Sequence, residues 1–312
     1  MERRAILSVI IPARNGEAMT SSCLSAAIHS ADATDRPCEF ILIDDASEPA
    51  ENVLAVFQGA RKNVSQHSFK IFRTRRRQHY TGVFSLGLSA ATCDQIFFLS
   101  NDMIVTPIFI STLLQVSALG HDIGIVRGTS NYADAHPEHT VAPGSRISNY
   151  DDVLAFSGEV ARQHGSNYTE DKLLSGDAVL IKRALVDTIG VMDLRFFGYF
   201  GDVDYGMRAH LAGFKLVCAK GAWLLHHGGG HVRREIALDR ERSFVAARAR
   251  RMELVEAAYG EFRGKWGGDL PERYDNVRPL HFFEIADRNR DRVALKYDLP
   301  AAFRDEYDQI DP

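Results

Sequence analysis

The sequence predicts an α/β protein with an open, mostly parallel and twisted sheet that is flanked by helices. Short runs rich in Val, Ile, Leu and Phe recur along the chain, and stretches with helical apolar spacing separate them. Such continuous apolar runs are typical of strands that are buried on both faces. The alternation of strand and helix therefore predicts helices on both sides of one sheet.

Three strands are predicted in the first third of the chain, and polar residues follow each of them. The runs are residues 6–11, followed by Pro12, residues 40–43, followed by Asp44 and Asp45, and residues 96–99, followed by Ser100, Asn101 and Asp102. Ligands of open α/β sheets bind beyond the carboxyl ends of the strands. The three exits therefore predict one shared site, although Asp and Asn also begin loops and cap helices without any ligand.

A helix is predicted between the first two strands, with residues 20–22 as candidate caps. Residues 130–144, rich in Pro, His, Asp and Gly, predict a loop or a boundary between two halves. The later predicted elements are a strand at 178–181, a helix at 183–189, a short helix ending near 211, a strand at 215–219 and a long helical pattern after Val232. We therefore expect a domain over residues 1–232, with halves 1–127 and 128–232, and a mainly helical C-terminal extension over 233–312.

Composition excludes several classes of protein. The net charge of the 312 residues is −4, so no global positive field is present to hold a nucleic acid. The four cysteines form no CxxC pair, which argues against a zinc knuckle or a disulfide framework and favours a reducing cytoplasm. The apolar run at residues 5–13 is too short to cross a bilayer. We expect a cytoplasmic protein, with peripheral contact at the inner face of the membrane left open and the oligomeric state not predicted.

Two acidic segments suggest chemistry. Asp102 follows a predicted strand, where a carboxylate can bind Mg²⁺ or Mn²⁺. Asp202 and Asp204 lie at a predicted helix start, and residues two apart on a helix do not share a face. Asp204 precedes Arg208 by four residues, which predicts an ion pair worth a few tenths of a kcal/mol. Asp202 is then the better candidate for a general base, unless it only caps the helix.

A histidine-glycine segment at residues 226–231 is a third candidate, because neutral imidazole is a good metal ligand. Adjacent residues of a strand point to opposite faces, so at most one of His226 and His227 faces a given site. Packed histidines that bond to backbone carbonyls are the ordinary alternative.

Five segments together resemble the family 2 inverting glycosyltransferases of the GT-A fold. They are residues 8–15, 43–47, 99–102, 196–213 and 217–229, in the order and spacing of that family. The similarity spans roughly residues 6–232 and is greatest to the rhamnosyltransferase-like and polysaccharide-assembly members from bacteria. It implies a Rossmann-like nucleotide-binding half, an acceptor half, and transfer of a sugar from a nucleotide-diphosphate sugar to the hydroxyl of a saccharide or small-molecule acceptor.

The resemblance also implies roles for single residues. The donor's base and ribose would be held by Pro12, Ala13, Arg14, Asn15, Asp44 and Asp45. Asn101 and Asp102 would lie at the diphosphate and its Mg²⁺ or Mn²⁺, with Asp102 as the direct metal ligand. Asp202 would be the catalytic base, and His227 would add a metal or diphosphate contact.

Three positions depart from the family pattern. Gly201 stands where Glu is expected, Arg14 stands in place of an aromatic residue, and Ser85 replaces an Asn. Two alternatives to a glycosyltransferase stay open. A sugar nucleotidyltransferase would need a glycine-rich loop with Arg and Lys after the first strand, which residues 12–16 do not supply. A nucleotide-sugar-binding protein without turnover is suggested by Gly201.

Two arginine-rich segments have no assigned role. Arg73, Arg75, Arg76 and Arg77 form a basic run after a predicted strand, which predicts either a solvated charge cluster or a contact to a diphosphate, an anionic acceptor or a lipid headgroup. The arginine-bearing helical segment after Val232 could close over an acceptor, dimerise or lie on a membrane, and packing on the core is the default interpretation.

Overall fold

The computed structural model describes residues 5–34, 36–133, 136–228, 244–267, 270–273 and 281–310. The strands are β1 (Leu7–Ala13), β2 (Glu39–Asp44), β3 (Ser68–Thr74), β4 (Gln95–Leu99), β5 (Met103–Ile104), β6 (Ile123–Ser130), β7 (Tyr168–Asp171), β8 (Ala178–Lys182), β9 (Lys215–His226) and β10 (Tyr307–Ile310). The α-helices are α1 (Glu17–Asp32), α2 (Val53–Asn63), α3 (His79–Ala90), α4 (Pro107–Ser117), α5 (Tyr150–His164), α6 (Arg183–Ile189), α7 (Gly201–Leu211), α8 (Phe244–Trp266) and α9 (Phe282–Arg288). Short 3-10 helices occur at Pro49–Glu51, Pro137–His139, Arg290–Arg292 and Ala301–Glu306.

The strands form one sheet in the order β10-β3-β2-β1-β4-β8-β6-β9-β5, with β7 added beside β9. Strands β3, β2, β1 and β4 are parallel to one another. Strand β8 runs antiparallel to both β4 and β6, and β6 is parallel to β9. The predicted open, mostly parallel sheet is thus confirmed, and its antiparallel pairings involve β10, β8, β7 and β5.

Helices cover both faces of the sheet, as the sequence predicted. Alternation along β1 sends Val9 and Ile11 into one core and Ile10 into the other. Helices α1, α2 and α4 close the first core, whereas α3, α6 and α7 close the second. The result is a three-layer α/β/α arrangement in which the strand ends stay open at the edge of the sheet.

Helix α1 begins earlier than predicted. Residues 20–22 do not cap it, because the chain turns sharply at Asn15 and Gly16, whose φ angles of 59° and 75° are left-handed, and the helix starts at once with Glu17. Thr20 then lies within the first turns, where its Oγ1 accepts a hydrogen bond of 2.9 Å from Asn101 Nδ2. This bond fixes the exit of β4 against α1.

The C-terminal extension packs against the region of α7, the helix that carries Asp202 and Asp204. Helix α8 buries Tyr259, Phe262 and Trp266 against Phe200 and Met207 of the α7 region, which agrees with core packing as the default interpretation. Strand β10 adds antiparallel to β3, a feature that the sequence analysis did not predict. The predicted boundary near residue 232 lies outside the described residues. None of the helices in the described ranges is long and apolar enough to cross a bilayer.

A buried ion cluster centred on Asp204 holds α8 to α7. The predicted pair with Arg208 is confirmed, at 2.8 Å between Nε and Oδ2, but both side chains are completely buried. The small energy of an exposed pair therefore does not apply to it. Lys265 Nζ lies 2.6 Å and Trp266 Nε1 3.0 Å from the other oxygen, Oδ1. Both carboxylate oxygens of Asp204 are thus occupied by structural partners.

We expect Asp204→Ala to lower the free energy of unfolding by about 3–5 kcal/mol, because it leaves two cations buried without their counter-charge. Chemical denaturation followed by circular dichroism measures this change. The exposed Asp187 on α6 provides the control, since Asp187→Ala should stay within about 0.5 kcal/mol of the parent protein. Equal stability of the two variants would contradict a central role for the Asp204 cluster.

Candidate active site

The sheet gathers several chain segments at one edge. Parallel pairing places the exits of β2, β1 and β4 side by side, so residues 44–45, 13–15 and 100–102 are neighbours, as the sequence predicted. Because β8 is antiparallel to β4, its start lies at the same edge, and Ser100 N–H donates to Asp177 O at 2.8 Å. Strand β9 also ends there, at His226.

Asp102 and His226 form a buried carboxylate–imidazole pair at this edge. His226 Nε2 lies 3.4 Å from Asp102 Oδ2, and only 2% of Asp102 is exposed. Burial acts to lower the pKa of His226, but the adjacent Asp102 carboxylate outweighs it and holds that pKa above its ordinary value. His226 Nδ1 lies 2.9 Å from Tyr132 O, so a proton on Nδ1 donates to this carbonyl and Nε2 is the nitrogen that faces Asp102.

His227, the predicted metal contact, lies differently. Its backbone N–H donates to Asp102 O at 2.9 Å, and its side chain is exposed. Adjacent residues of an extended strand point to opposite faces, so only one of the two imidazoles can face Asp102, and that one belongs to His226. The structure therefore brings the neighbour of the predicted residue to the carboxylate. His231 lies outside the described residues.

Asp202 lies in the first turn of α7, close to where the sequence predicted a helix start. Its Oδ1 accepts a hydrogen bond of 2.9 Å from Val203 N–H, and the residue is half-buried. Burial raises the pKa of Asp202 to about 6, the Val203 N–H acts against that rise, and the nearby Asp177 carboxylate adds to it. A carboxylate with such a pKa is a stronger base than an ordinary Asp and is still ionised at neutral pH.

The segment that joins these groups, residues 176–177, was not among the site positions predicted from the sequence. A Cβ built on Gly176 would lie 3.5 Å from Asp202 Cβ and 1.5 Å from the Tyr80 hydroxyl, so only glycine fits between them. Asp177 acts on the pKa of both Asp202 and His226. The signal in the sequence that could have indicated this segment is Asp177, a carboxylate directly before the predicted strand 178–181. The predicted site positions were strand exits, a helix start and a histidine-glycine segment, whereas Asp177 precedes an antiparallel strand.

The two acidic residues predicted for the donor pocket are engaged within the protein. Asp44 Oδ2 accepts from Arg73 at 2.6 Å, and its Oδ1 accepts from Ser47 N–H at 2.9 Å. Asp45 Oδ1 accepts from Thr74 Oγ1 and from Gln78 N–H, at 2.9 and 2.6 Å. Burial raises the pKa of Asp45 against these bonds. Both carboxylates therefore hold the loop after β2 in its conformation through hydrogen bonds within the protein.

The β1 exit is fastened to the same loop. Arg14 Nη1 donates to Asp45 O and Ala46 O, at 3.0 and 2.6 Å. Asn15 Oδ1 accepts from Glu48 N–H at 2.8 Å. Pro12 and Ala13 end β1 itself. These contacts make one preformed wall from two strand exits, and Arg14 lies within it in place of the aromatic residue of the family pattern.

The basic run after β3 is tied into the fold. Arg73 pairs with Asp44, Arg75 Nη2 lies 2.8 Å from Asp308 Oδ1, and Arg76 Nη2 lies 2.5 Å from Glu306 Oε1. Arg73 thus holds the end of β2, Arg75 holds the C-terminal strand β10, and Arg76 holds the 3-10 helix before it. This arrangement accounts for the charges without an external anion.

Gly201, which stands where the family pattern has Glu, is closely packed against its neighbours. A Cβ at this position would lie 2.6 Å from Thr81 Oγ1. Thr81 is buried and its hydroxyl donates to Phe196 O, and Phe200 before the helix has a left-handed φ of 63°. The loop before α7 is therefore packed so that position 201 has no room for a side chain.

Comparison with known proteins agrees with this fold. A sequence profile described as glycosyl transferase family 2 matches residues 8–164. A mannosyltransferase, PcManGT from Pyrobaculum calidifontis, solved with GDP-Man and Mn²⁺, shares the fold with a TM-score of 0.56 at 13% identity, covering 96% of this chain and 78% of its own. S. aureus TarS 1-349, solved with UDP-GlcNAc, gives a TM-score of 0.52 at 13% identity, covering 96% and 75%. No curated protein sequence matches the chain.

We expect Gly201→Ala to destabilise the protein by about 1–3 kcal/mol, because the new methyl group overlaps Thr81 Oγ1. Thermal and denaturant unfolding of the single variants and of the Gly201→Ala/Thr81→Ala double variant measure the coupling. The double variant should lose less stability than the two single changes added together. Gly59 on α2 has open space around it, so Gly59→Ala should not destabilise. Strict additivity of the two changes would contradict the clash.

Proposed function

The chain belongs to glycosyl transferase family 2, and from that membership we propose that it is a metal-dependent, inverting glycosyltransferase. Its donor is a nucleotide-diphosphate sugar and its acceptor is the hydroxyl of a saccharide or small molecule, in the assembly of a glycan or polysaccharide. The observation that carries this proposal is the gathering of Asp102, His226, Asp177 and the Asp202 region at one edge of the sheet. Two proteins of the same fold hold nucleotide sugars, one of them with Mn²⁺, which supports the donor class.

Asp102 and His226 would hold the metal. A carboxylate and a neutral imidazole suit Mn²⁺, and the imidazole is already oriented by Tyr132 O. When bound, a divalent cation supplies electrostatic stabilisation to the diphosphate leaving group. His226 takes the place that the sequence analysis gave to His227, because the alternation along β9 turns it towards Asp102. Asn101, bonded to Thr20, would fix the loop that carries Asp102.

Asp202 would act as the base that removes the proton of the acceptor hydroxyl. Its raised pKa increases its basicity, and the N–H of Val203 holds the carboxylate in a defined orientation. Asp204 is excluded from this role because Arg208, Lys265 and Trp266 occupy its oxygens. Attack by the acceptor from the side of the sugar opposite to the diphosphate inverts the anomeric carbon.

The nucleotide would lie on the wall made by the exits of β1 and β2. Pro12, Ala13, Arg14 and Asn15 form one side of it, and Asp44 and Asp45 form the other. Their internal hydrogen bonds hold the wall in place before any ligand arrives, which reduces the ordering cost of binding. Arg14, with a guanidinium at this wall, is our candidate for the residue that sets nucleotide preference.

The first test is turnover with a panel of nucleotide sugars that includes GDP-mannose and UDP-GlcNAc, with Mg²⁺ or Mn²⁺. We expect nucleoside diphosphate release with one donor, and Asp202→Asn should lower kcat by about 10²–10⁴-fold while donor binding is retained. Asp187→Asn, an exposed change on α6, should leave kcat unaltered. Donor binding without any turnover would instead indicate a binding protein, and unaltered kcat in Asp202→Asn would remove the base assignment. Nuclear magnetic resonance of the product determines the anomeric configuration, which should be inverted relative to the donor.

The second test is the pH dependence of kcat/KM. A base must be ionised, so the rate should rise with pH through the pKa of Asp202, about 6, and then level off. Asp177→Asn removes a negative neighbour that raises this pKa, so the acidic limb should shift to lower pH. Asp187→Asn should leave the limb in place. A limb that does not move, or that moves to higher pH in Asp177→Asn, contradicts the coupling of the two carboxylates.

A further inference from the structure

A second cluster of metal-ligating side chains lies away from the proposed donor site. The loop after β6 contributes His136 and His139, the latter at the end of the 3-10 helix Pro137–His139, and β7 ends with Asp171. All three are buried, and one possible ligand atom from each lies within 4.8 Å of the other two. The imidazole rings stack with centroids 5.2 Å apart.

We propose that His136, His139 and Asp171 form a site for Zn²⁺ that is separate from the metal site proposed at Asp102. Two imidazoles and one carboxylate are a frequent protein donor set for zinc. Glu138 supplies a fourth candidate, because its Oε1 lies 3.1 Å from His136 Nδ1 and 3.9 Å from His139 Nε2. The nitrogen-rich set distinguishes this site from the oxygen sites that Mg²⁺ prefers.

The Asp171 carboxylate gives an independent reason for a bound cation. Its Oδ1 lies 2.7 Å from His139 Nε2. Within the described part of the chain, its buried Oδ2 has no hydrogen-bond partner, and 4% of the side chain is exposed. Leaving a buried carboxylate oxygen without a donor is costly, and a cation in the cluster removes that cost.

The imidazole of His136 is oriented by a backbone carbonyl, as the imidazoles of metal-ligating histidines usually are. Its Nε2 lies 3.1 Å from Leu173 O, so a proton on Nε2 donates to the backbone carbonyl and leaves the Nδ1 lone pair on the side of Glu138. Bonding of the second ring nitrogen to a carbonyl is the common outer contact of histidine ligands, since it fixes both ring orientation and tautomer.

Lys220 is the competitor for this site. Its Nζ lies 3.0 Å from His139 Nδ1, so in the metal-free protein it donates to the ring that must bind the cation through Nε2. Lys220 is half-buried and its long side chain can turn to solvent. Zinc binding therefore requires that Lys220 release His139, and removal of its charge should strengthen binding.

A cation here would brace two segments that reach the proposed active site. The loop that carries His136 begins with Asn131, which exchanges two hydrogen bonds with the His226 backbone, at 3.0 and 2.7 Å. The segment after Asp171 leads through Gly176 to Asp177, beside Asp202. A cross-link between the two segments would hold both sides of the site at a fixed separation.

The test measures zinc content directly. The full chain is incubated with Zn²⁺ in an excess of Mg²⁺, which competes with Zn²⁺ for the metal site proposed at Asp102, and is then desalted and measured by elemental mass spectrometry. We expect one equivalent of zinc in the parent protein, in Asp102→Asn and in the control His121→Gln, an exposed histidine. His136→Gln and Asp171→Asn should bind at least about 100-fold more weakly in a competition titration. Substitution with Co²⁺ should give visible absorption bands from nitrogen and oxygen ligands.

Lys220→Met keeps every ligand, so it tests the site even where a ligand variant fails to fold. It should bind Zn²⁺ about tenfold more tightly than the parent protein, and both should melt at a higher temperature with zinc than without. Parent protein without zinc after this treatment, a full equivalent retained in both ligand variants, or binding by Lys220→Met that is equal or weaker would each overturn the proposal.

Discussion

Burial of carboxyl groups disfavours their charged forms, neighbouring carboxylates add to this cost, and this constraint governs the open edge of the sheet. Asp102 follows β4, Asp177 precedes the antiparallel β8, and Asp202 lies next to Gly176. Burial raises the pKa of Asp202 and Asp177 adds to that rise, whereas the carboxylates of Asp102 and Asp177 raise the pKa of His226 against the effect of burial. A site with this excess of negative charge favours a divalent cation beside Asp102 and a developing positive charge near Asp202. Both are features of glycosyl transfer from a diphosphate.

Two carboxylates in the first turn of α7 have different surroundings, and the roles that we propose for them rest on that difference. Asp204 points into the interface with α8, where cations and an indole N–H occupy both oxygens. Asp202, two residues earlier, has its Oδ1 bonded to the adjacent Val203 N–H. The buried cluster at Asp204 therefore anchors the helix that presents Asp202. A structural carboxylate and the proposed base can lie two residues apart because a helix turns successive side chains towards different partners.

Much of the fold was predictable from the sequence, because buried strands and their polar exits have a strong local signature. Gathering of Asp44, Asp45 and Asp102 at one edge follows from parallel pairing alone. The start of α1 was not predictable from Thr20, since left-handed turns at Asn15 and Gly16 determine it. Asp177 was missed because its place at the edge depends on an antiparallel partner that lies far away in sequence. The strand β10 likewise depends on pairing with β3, which no local pattern reveals.

The choice between His226 and His227 depends on an irregularity in the middle of β9. Gly128 of β6 lies opposite Ala219, whereas the next residue, Thr129, lies opposite Trp223, so residues 220–222 of β9 have no partner in β6. An odd number of inserted residues reverses which side chains face each side of the sheet beyond that point. The insertion also lets Lys220 leave the ladder and reach His139. One bulge therefore turns His226, and not His227, towards Asp102, and it also brings Lys220 to His139. Neither outcome can be predicted from the alternation of residues along the sequence.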